Sequence, residues 1–298
     1  MTKPLCIYHS NCADGFAAAW VVRKFFIGEV DFFAAQYGHE PPDVAGRDVV
    51  MVDFSYKRPV LDAMAVKANT ILILEHHKPA AEALAGFPMC SGVYSPEGML
   101  AYKEHIGAPV AVHAIFDMDR SGAGLAWDFF FPGEPRPRLI DHVEDRDLWR
   151  FKLPLTREIQ SAVVSYPWDF EDWDALMRAC EHEEGRQQLF AAGSAIDRKL
   201  QQDIGSILAT PPRHMVLGGV SVPVVNAPGM WASDMAGKLA ETAPFAAIYF
   251  DTPTERVFSL RSRGDGGMDV SAIAKGYGGG GHKNAAGFQR PHGWEGDA

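Results

Sequence analysis

The first half of the chain alternates short apolar runs with segments of helical periodicity, and this alternation constrains the fold more than any other feature. Strands that alternate with helices at this spacing form βαβ units and a mostly parallel sheet. The sequence therefore predicts an α/β fold. The predicted strands are Leu5–Tyr8, Val49–Val52, Thr70–Leu74 and Val110–Phe116, and the predicted helices are Gly15–Phe26, Arg58–Ala68 and Ser121–Phe131.

The pattern changes twice in the second half of the chain. The segment from Thr156 to Leu208 has helical character, and Pro211-Pro212 then interrupts the chain at a natural boundary. We therefore predict an N-terminal domain at 1–155, a helical connector at 156–212 and a smaller α/β domain at 213–298. The last domain is predicted to contain the strands Val220–Asn226, Phe245–Phe250 and Arg256–Leu260, the helices Trp231–Glu241 and Val270–Ala274, and a frayed tail after Phe288.

Acidic and histidine residues follow three of the predicted strands at the point where each strand ends. Ligands of an open parallel sheet bind beyond the carboxyl ends of its strands. Mixed imidazole and carboxylate ligands suit manganese, iron or a similar divalent ion, alone or as a pair. One such residue alone is more often a helix cap or a turn residue, so the convergence of several strand ends carries the prediction. The converging residues are His9, Asp14, Asp53, Glu75, His76 and His77.

A fourth acidic cluster lies in the segment DHVEDRD at 141–147. Most of these residues are expected to form a solvated, charged helix end. Asp145 or Asp141 could still complete a metal site. Asp117 and Asp119 are further candidates after the strand Val110–Phe116, although Asp117 could equally cap the following helix.

A run of four glycines near the C-terminus, GGGGHKNAAGF from residue 278, is the second distinctive segment. Glycines let the backbone approach a ligand closely, and successive N–H groups in such a loop form an anion-binding concavity. His282 and Lys283 could add positive charge, and Arg261 offers two parallel donors to a phosphate. The run could otherwise be a flexible linker. The candidate substrate-binding residues are Arg261, Gly279, Gly280, Gly281 and His282.

The composition of the chain bears on its cellular compartment and on the kind of partner that it could bind. The formal net charge of −10 argues against a protein that tracks long nucleic acid through a basic groove. The four cysteines, Cys6, Cys12, Cys90 and Cys180, form no CxxC pair, which favours a reducing compartment. No apolar run is long enough to span a membrane and no signal-peptide pattern begins the chain, so a cytoplasmic protein without membrane attachment is expected.

Several of these segments together resemble the DHH phosphoesterase superfamily with its C-terminal DHH-associated domain. The glycine segment GGGGHKNAAGF is the most specific match, and EHH at 75–77 is similar to the DHH signature with glutamate in place of the first aspartate. YHSNCADGFAAAW from Tyr8 is similar to the first motif and VDFSY from Val52 to the second. The region from SGAGLAW to EDRDLW is similar to the fourth motif.

The resemblance implies a two-domain enzyme with manganese held by the N-terminal domain and the nucleotide by the C-terminal one. It implies that His9, Asp14 and His76 are metal ligands, that Asp53 bridges two metals, and that His77 addresses the scissile phosphate. It places the fourth-motif ligand at Asp145, with Asp141 in reserve. Homodimerisation through the first domain is a further expectation by family analogy alone.

Cys12 departs from the family pattern. The first aspartate of the D-x-D motif is replaced in Cys12-Ala13-Asp14. A thiolate favours zinc or iron over manganese, and a protonated thiol would leave one metal position short of a ligand. The glutamate at position 75 is a milder change that lengthens a contact outside the metal ligands.

The resulting expectation is a metal-dependent hydrolase of the RecJ-like or nano-RNase-like type, a phosphodiesterase, exonuclease or oligoribonuclease. It would cleave short oligonucleotides or dinucleotides to nucleoside monophosphates with one or two divalent ions, in the first place Mn²⁺. Two alternatives remain open: a phosphatase of small nucleotide monoesters, and a nucleotide-binding sensor that has lost catalysis because of Cys12.

Overall fold

The computed structural model of the protein describes residues 2–85, 111–264 and 266–297. The chain divides into two compact units, Met1–Asp197 and Arg198–Ala298. Among the described residues no helix is both long enough and apolar enough to cross a membrane. Cys90 and Val110, which entered the sequence predictions, lie outside the described ranges.

The first unit contains a parallel five-stranded sheet, which confirms the predicted α/β class. Its strands are β1 (Leu5–His9), β2 (Asp31–Ala35), β3 (Asp48–Val52), β4 (Thr70–Glu75) and β5 (Ala111–Phe116), in the order β2-β1-β3-β4-β5. Strand β2 was not predicted. It is an edge strand that remains mostly accessible, and its segment DFFAA lacks the β-branched residues that are typical of strands.

Helices cover both faces of this sheet, which explains the continuous apolar runs of its central strands. Along β3 and β4, alternate residues enter two separate apolar clusters: Val50 and Leu72 belong to one, and Met51 and Ile73 to the other. The helices of the unit are α1 (Ala13–Phe25), α2 (Arg58–Ala65), α3 (Lys78–Ala83), α4 (Gly122–Phe130), α5 (Arg138–Asp147), α6 (Thr156–Val163), α7 (Phe170–Glu181) and the first part of α8 (Glu183–Leu208).

The strand order locates the place where a ligand should bind. Strands β1 and β3 are neighbours, while β2 lies on the outer side of β1 and β4 on the outer side of β3. The chain thus changes its winding direction between β1 and β3, and the crevice outside the carboxyl ends of these strands is the usual ligand position of a doubly wound sheet. His9 ends β1 and Asp53 follows β3 at this point.

The second unit contains a mixed six-stranded sheet in the order β10-β11-β9-β8-β7-β6. Only β7 and β8 pair in parallel. Helix α8 ends at Leu208, and the division between the two units falls inside this helix. The elements are β6 (Arg213–Leu217), β7 (Val220–Asn226), α9 (Ala232–Ala240) after a 3₁₀ turn at Gly229–Trp231, β8 (Ala246–Asp251), β9 (Arg256–Arg261), α10 (Val270–Gly276), β10 (Gly280–His282) and β11 (Ala285–Arg290).

The prediction of a frayed tail after Phe288 is wrong. Strand β11 continues to Arg290, and Trp294 packs against the aromatic rings of Phe258 and Phe288. The Arg256 guanidinium also donates a hydrogen bond to the Trp294 carbonyl at 3.0 Å. The aromatic and arginine contacts of the tail come from strands distant in sequence, so local composition did not indicate them.

Candidate metal centre

Asp53 lies at the centre of a cluster of side chains at the carboxyl edge of the first sheet. Its backbone has a φ of 53°, in the left-handed region that residues with a side chain rarely adopt. Such a conformation costs on the order of 1–3 kcal/mol and is retained where the surrounding structure determines it, often at functional sites. Here it follows directly on β3 and sets the direction in which the carboxylate leaves the sheet.

The two oxygens of the Asp53 carboxylate face different histidines. Oδ1 lies 2.9 Å from Nε2 of His76, and Oδ2 lies 3.4 Å from Nδ1 of His9. The Asp53 side chain is only 2% exposed. One buried carboxylate therefore connects the end of β1 with the end of β4, which is the position expected of a ligand shared between two ions.

Three carboxylates converge on a single nitrogen atom, Nε2 of His76. Besides Asp53, the carboxylate of Asp14 lies 3.5 Å from it and that of Asp147 lies 3.7 Å from it. An imidazole Nε2 carries at most one proton to donate, so it cannot satisfy three acceptors. The Oδ2 atoms of Asp53 and Asp147 are buried and accept no hydrogen bond from the described residues.

The pKa shifts reflect this concentration of negative charge. Burial, followed by the charges of Asp53 and Asp147, raises the pKa of Asp14 well above its ordinary value. Burial and the charge of Asp53 also raise the pKa of Asp147. Against the effect of burial, the imidazoles of His76 and His9 lower the pKa of Asp53. Against burial again, Asp53 and the other carboxylates raise the pKa of His76.

Asp14 has a structural role in addition to its place in the cluster. Its two oxygens accept hydrogen bonds from the backbone N–H groups of Gly122, at 2.6 Å, and Ala123, at 2.9 Å, at the start of α4. The helix approaches so closely that a Cβ atom at position 122 would lie 2.5 Å from the Cβ atom of Asp53. Only glycine fits there, which explains the glycine of the SGAGLAW segment.

Glu75 fixes the orientation of His77. Its Oε1 atom accepts hydrogen bonds from the backbone N–H of His76 at 2.8 Å and of His77 at 3.1 Å, and it lies 2.6 Å from the His77 Nδ1 atom. Against the effect of burial, the charge of Glu75 raises the pKa of His77. The His77 side chain remains 19% exposed, so a ring held through Nδ1 can still reach a ligand. Glu75 thus orients His77, and its role relative to a metal ion remains a prediction.

Cys12 lies on the His9 side of Asp53. The Cys12 Sγ atom, a His9 ring nitrogen and an Asp53 carboxylate oxygen all lie within 4.8 Å of one another. Burial, and then the charges of Asp53, Asp147 and Asp14, raise the pKa of the thiol well above its ordinary value. Without a cation in the cluster the thiol is therefore protonated at neutral pH.

The structure does not bring Asp145, the predicted fourth-motif ligand, to this cluster. Asp145 is buried, and it accepts hydrogen bonds from the backbone N–H groups of Lys152 (2.8 Å) and Leu153 (3.0 Å) and from the Thr156 hydroxyl (2.7 Å). Asp147 lies in the cluster instead. Side chains two residues apart on a helix point in directions roughly 200° apart. Asp145 and Asp147 therefore cannot both point into the cluster.

The other acidic candidates lie outside the donor groups found among the described residues. The side chain of Asp141 is 45% exposed and lies 4.0 Å from Arg136. Asp117 accepts a hydrogen bond from the backbone N–H of Asp119 at 2.9 Å, which makes it a turn residue. The solvated interpretation of these residues agrees with their positions.

The residues of the cluster fit a divalent cation. Two of the donor groups among the described residues are Asp14, His76 and Asp147, and His9, Cys12 and Asp53, with the atoms of each group within 4.8 Å of one another. Imidazole and carboxylate are ligands of manganese, iron and zinc. A cation would compensate the buried carboxylate oxygens that no hydrogen-bond donor of the described residues satisfies.

In the second unit, the glycine run is part of a hairpin and not an open loop. Gly280–His282 is an edge strand that pairs with Ala285–Gly287. A Cβ atom at Gly279 would lie 2.1 Å from the Gly287 carbonyl oxygen, so this glycine permits the approach of a strand, where the sequence suggested a ligand. The glycines therefore belong to a hairpin, and their role in binding an anion remains a prediction.

Arg261 and His282 nevertheless lie at the same level of the second sheet. Ala285 pairs with Arg261 on one side and with His282 on the other. Residues in register on neighbouring strands share a face of the sheet, and the small Ala285 side chain separates them. Arg261 donates hydrogen bonds to the Ser233 hydroxyl and to its neighbouring Leu260 carbonyl, both at 2.8 Å, so its guanidinium is positioned by the unit itself.

No protein-family model matches the chain. A relative is an uncharacterized protein of Acanthamoeba polyphaga mimivirus, 27% identical over 316 aligned residues that cover 95% of this chain and 66% of that protein. The chain thus spans about two thirds of the length of this relative.

The chain is also similar to solved structures. A pGpG-specific phosphodiesterase, PggH from Vibrio cholerae, is 14% identical with a TM-score of 0.45 over 97% of this chain and 94% of that one. RecJ from Thermus thermophilus in complex with Mn²⁺ is 13% identical with a TM-score of 0.48 over 96% and 49%. An exonuclease RecJ bound to manganese is 14% identical with a TM-score of 0.46 over 96% and 86%.

Proposed function

We propose that the protein is a metal-dependent phosphoesterase whose centre is formed by His9, Asp14, Asp53, His76 and Asp147. The observation that carries the proposal is the convergence of three carboxylates on His76 Nε2, with two buried carboxylate oxygens that receive no hydrogen bond from the described residues. Burying such a group without compensation is unfavourable. A divalent cation would compensate the negative charge of these buried oxygens.

The proposed reaction is hydrolysis of a phosphodiester in short oligonucleotides or dinucleotides to nucleoside monophosphates. A divalent ion, with Mn²⁺ as the first choice, would supply Lewis-acid polarisation of the phosphoryl group. His77, held through Nδ1 by Glu75, would donate a hydrogen bond from its other nitrogen to a phosphoryl oxygen. Asp14 would hold the start of α4 in place beside the centre.

Arg261 and His282 are proposed to bind an anionic part of the substrate. The supporting observation is their common position across Ala285 on one face of the second sheet. Arg261 is positioned by Ser233, so the cost of ordering the guanidinium is already met before a phosphate binds. Arg261→Ala is therefore expected to weaken the binding of dinucleotides, and Arg261→Lys to restore only part of it, because lysine cannot bind two oxygens in parallel.

The test of the function is hydrolysis of 5′-labelled RNA and DNA oligonucleotides that are two to about ten nucleotides long. The panel of substrates includes pGpG and a nucleoside monophosphate, which is a phosphate monoester. Each substrate is incubated with Mn²⁺, with chelator, and with His76→Ala in place of the wild type.

The expected result is metal-dependent formation of nucleoside monophosphates that His76→Ala does not produce. Release of inorganic phosphate from the monoester alone would replace this proposal with the phosphatase alternative. Tight nucleotide binding without turnover under every divalent ion would instead favour the sensor.

A further inference from the structure

Cys12 occupies a position where neither of the usual structural roles of a cysteine applies. It precedes helix α1 without a side-chain capping hydrogen bond of normal geometry, although the backbone N–H of Gly15 interacts with the thiol and lowers its pKa against the larger effect of burial. The cysteines Cys6 and Cys180 belong to the apolar core of the first unit, whereas Cys12 does not. The side chain is directed instead to the polar cluster.

The neighbours of Cys12 in that cluster are His9 and Asp53, whose side chains are both of kinds that bind metal ions. Its Sγ atom lies within 4.8 Å of a His9 ring nitrogen and of an Asp53 carboxylate oxygen. Asp53 is nearly inaccessible to solvent, and its Oδ2 atom, the one facing His9, accepts no hydrogen bond from the described residues. A sulfur, a nitrogen and a carboxylate oxygen thus lie close together at the end of β1.

The other half of the centre has no sulfur. Asp14, His76 and Asp147 contribute only nitrogen and oxygen donors. Soft thiolate ligands select zinc, iron and related ions, whereas carboxylate and imidazole also accept manganese. The two halves of one centre therefore differ in the ion that their donors prefer.

We propose that Cys12 is a metal ligand, and that the His9–Cys12–Asp53 half of the centre takes a thiophilic divalent ion such as Zn²⁺ or Co²⁺. This proposal rests on the metal centre of the proposed function and specifies its second ion. When the ion binds, the metal–sulfur bond forms, the S–H bond breaks, and the proton leaves to solvent, so the affinity falls as the pH is lowered. Cys12 thus remains a metal ligand and determines which ion this half of the centre prefers.

The test is a titration of the full-length protein with Co²⁺ and with Cd²⁺ in the absence of substrate, followed by absorption in the near ultraviolet. A thiolate ligand gives a ligand-to-metal charge-transfer band that oxygen and nitrogen ligands do not give. Cys12→Ser and Cys12→Asp are compared with the wild type, with Cys6→Ala, Cys180→Ala and Cys90→Ser as matched controls for the other cysteines.

The expected result is a band in the wild type and in the three controls that is absent from both Cys12 variants. Equilibrium dialysis should show Zn²⁺ affinity weaker by about tenfold or more in Cys12→Ser, since even a partner outside the ligand set is worth about 10–100-fold in metal affinity. Cys12→Asp should bind Mn²⁺ more tightly than the wild type does, which also shows that the variant is folded.

Binding of Co²⁺ by the wild type without the band, or an equal band in Cys12→Ser, would overturn the proposal. The band is independent of turnover, so the two proposals fail separately. Metal-dependent hydrolysis without the band refutes the cysteine ligand and leaves the phosphoesterase. A band without hydrolysis of any phosphoester supports the ligand and refutes the function.

Discussion

Helix α5 carries two buried polar networks on opposite sides, and they differ in the supply of hydrogen-bond donors. On one side, Asp145 receives three hydrogen bonds, from two backbone N–H groups and from Thr156. On the other side, Asp147 shares one histidine nitrogen with Asp14 and Asp53, and its buried Oδ2 accepts no hydrogen bond from the described residues. The protein alone satisfies the first network, whereas the second leaves the Asp147 Oδ2 atom without a donor among the described residues, which is why we propose a cation there.

Because of this difference we assign a structural role to Asp145 and propose Asp147 as a ligand, a distinction that the sequence alone did not provide. Both residues lie in the same motif, DRD at 145–147, and both have similar neighbours along the chain. What distinguishes them is whether protein donors satisfy their oxygens. The predictions below test this distinction, beginning with the largest expected effect.

Asp147→Asn should strongly reduce metal-dependent phosphoester hydrolysis. Loss of a residue that only supports a metal ligand typically costs about 10–100-fold, and the loss here should be larger. The amide retains the shape of the side chain but removes the charge that the cation needs. Asp145→Asn is the matched control, and its kcat/KM should stay close to wild type at a temperature where it is folded. Equal losses in the two variants would remove the distinction between the networks.

Glu75→Gln should lower kcat by about 10–100-fold, the usual cost of losing a partner outside the metal ligands. The amide no longer provides the charge that holds His77 through Nδ1 at 2.6 Å. Glu75→Asp restores the charge on a shorter side chain and should recover part of the loss. Steady-state kinetics on a dinucleotide with saturating metal measures both, and an unchanged kcat in Glu75→Gln would show that His77 needs no such support.

Asp145→Asn should destabilise the protein by about 1–3 kcal/mol, because the amide nitrogen faces backbone donors that are left unsatisfied. Asp147→Asn should not destabilise the metal-free protein, since it relieves repulsion among Asp14, Asp53 and Asp147. Urea unfolding in chelator measures both free energies. A larger loss for Asp147→Asn than for Asp145→Asn would contradict the assignment of the structural network.

The smallest expected effect is on the pH dependence of the metal-free protein. Asp147 has a raised pKa when folded, so the folded state binds more protons than the unfolded state above the ordinary value of 3.8. Its contribution to stability is therefore greatest at low pH and decreases as pH rises from about 4 through its folded pKa. Asp147→Asn should abolish this contribution, so its stability relative to wild type should be greater at pH 7 than at pH 5.

Unfolding in chelator at both pH values measures that difference. The Glu75 pKa is lowered when folded by His77, against the effect of burial, so its contribution has the opposite sign and disappears below its ordinary value of 4.5. The comparison is therefore made at pH 5 and pH 7, both above that value. An identical difference at the two pH values would show that Asp147 does not share its environment with the other carboxylates.

The sequence predicted the parts of the fold that depend on local periodicity. Strands β1, β3 and β4 are continuous apolar runs, and the residues that follow them, His9, Asp53 and His76, do meet at one sheet edge. Their convergence could be predicted because parallel strands end on the same side. The metal-binding roles of these residues remain predictions.

The parts that the sequence did not predict depend on contacts distant in the chain. Asp147 was not preferred over Asp145 because the donors of Asp145 lie in the following loop, at Lys152 and Leu153, and were not visible as a pattern. Likewise, the glycine run was interpreted as a ligand loop, whereas Gly279 and Gly281 accommodate the neighbouring strand β11. In both cases the tertiary neighbour decides the role of the residue.

The central claim, that the donor-poor side of α5 holds a divalent ion, is tested most directly by calorimetric titration of Mn²⁺ into the metal-free wild type, Asp147→Asn and Asp145→Asn. The account predicts tight binding to the wild type and to Asp145→Asn, and binding to Asp147→Asn that is weaker by about tenfold or more. Equal affinity of Asp147→Asn and wild type, or a loss confined to Asp145→Asn, would contradict it.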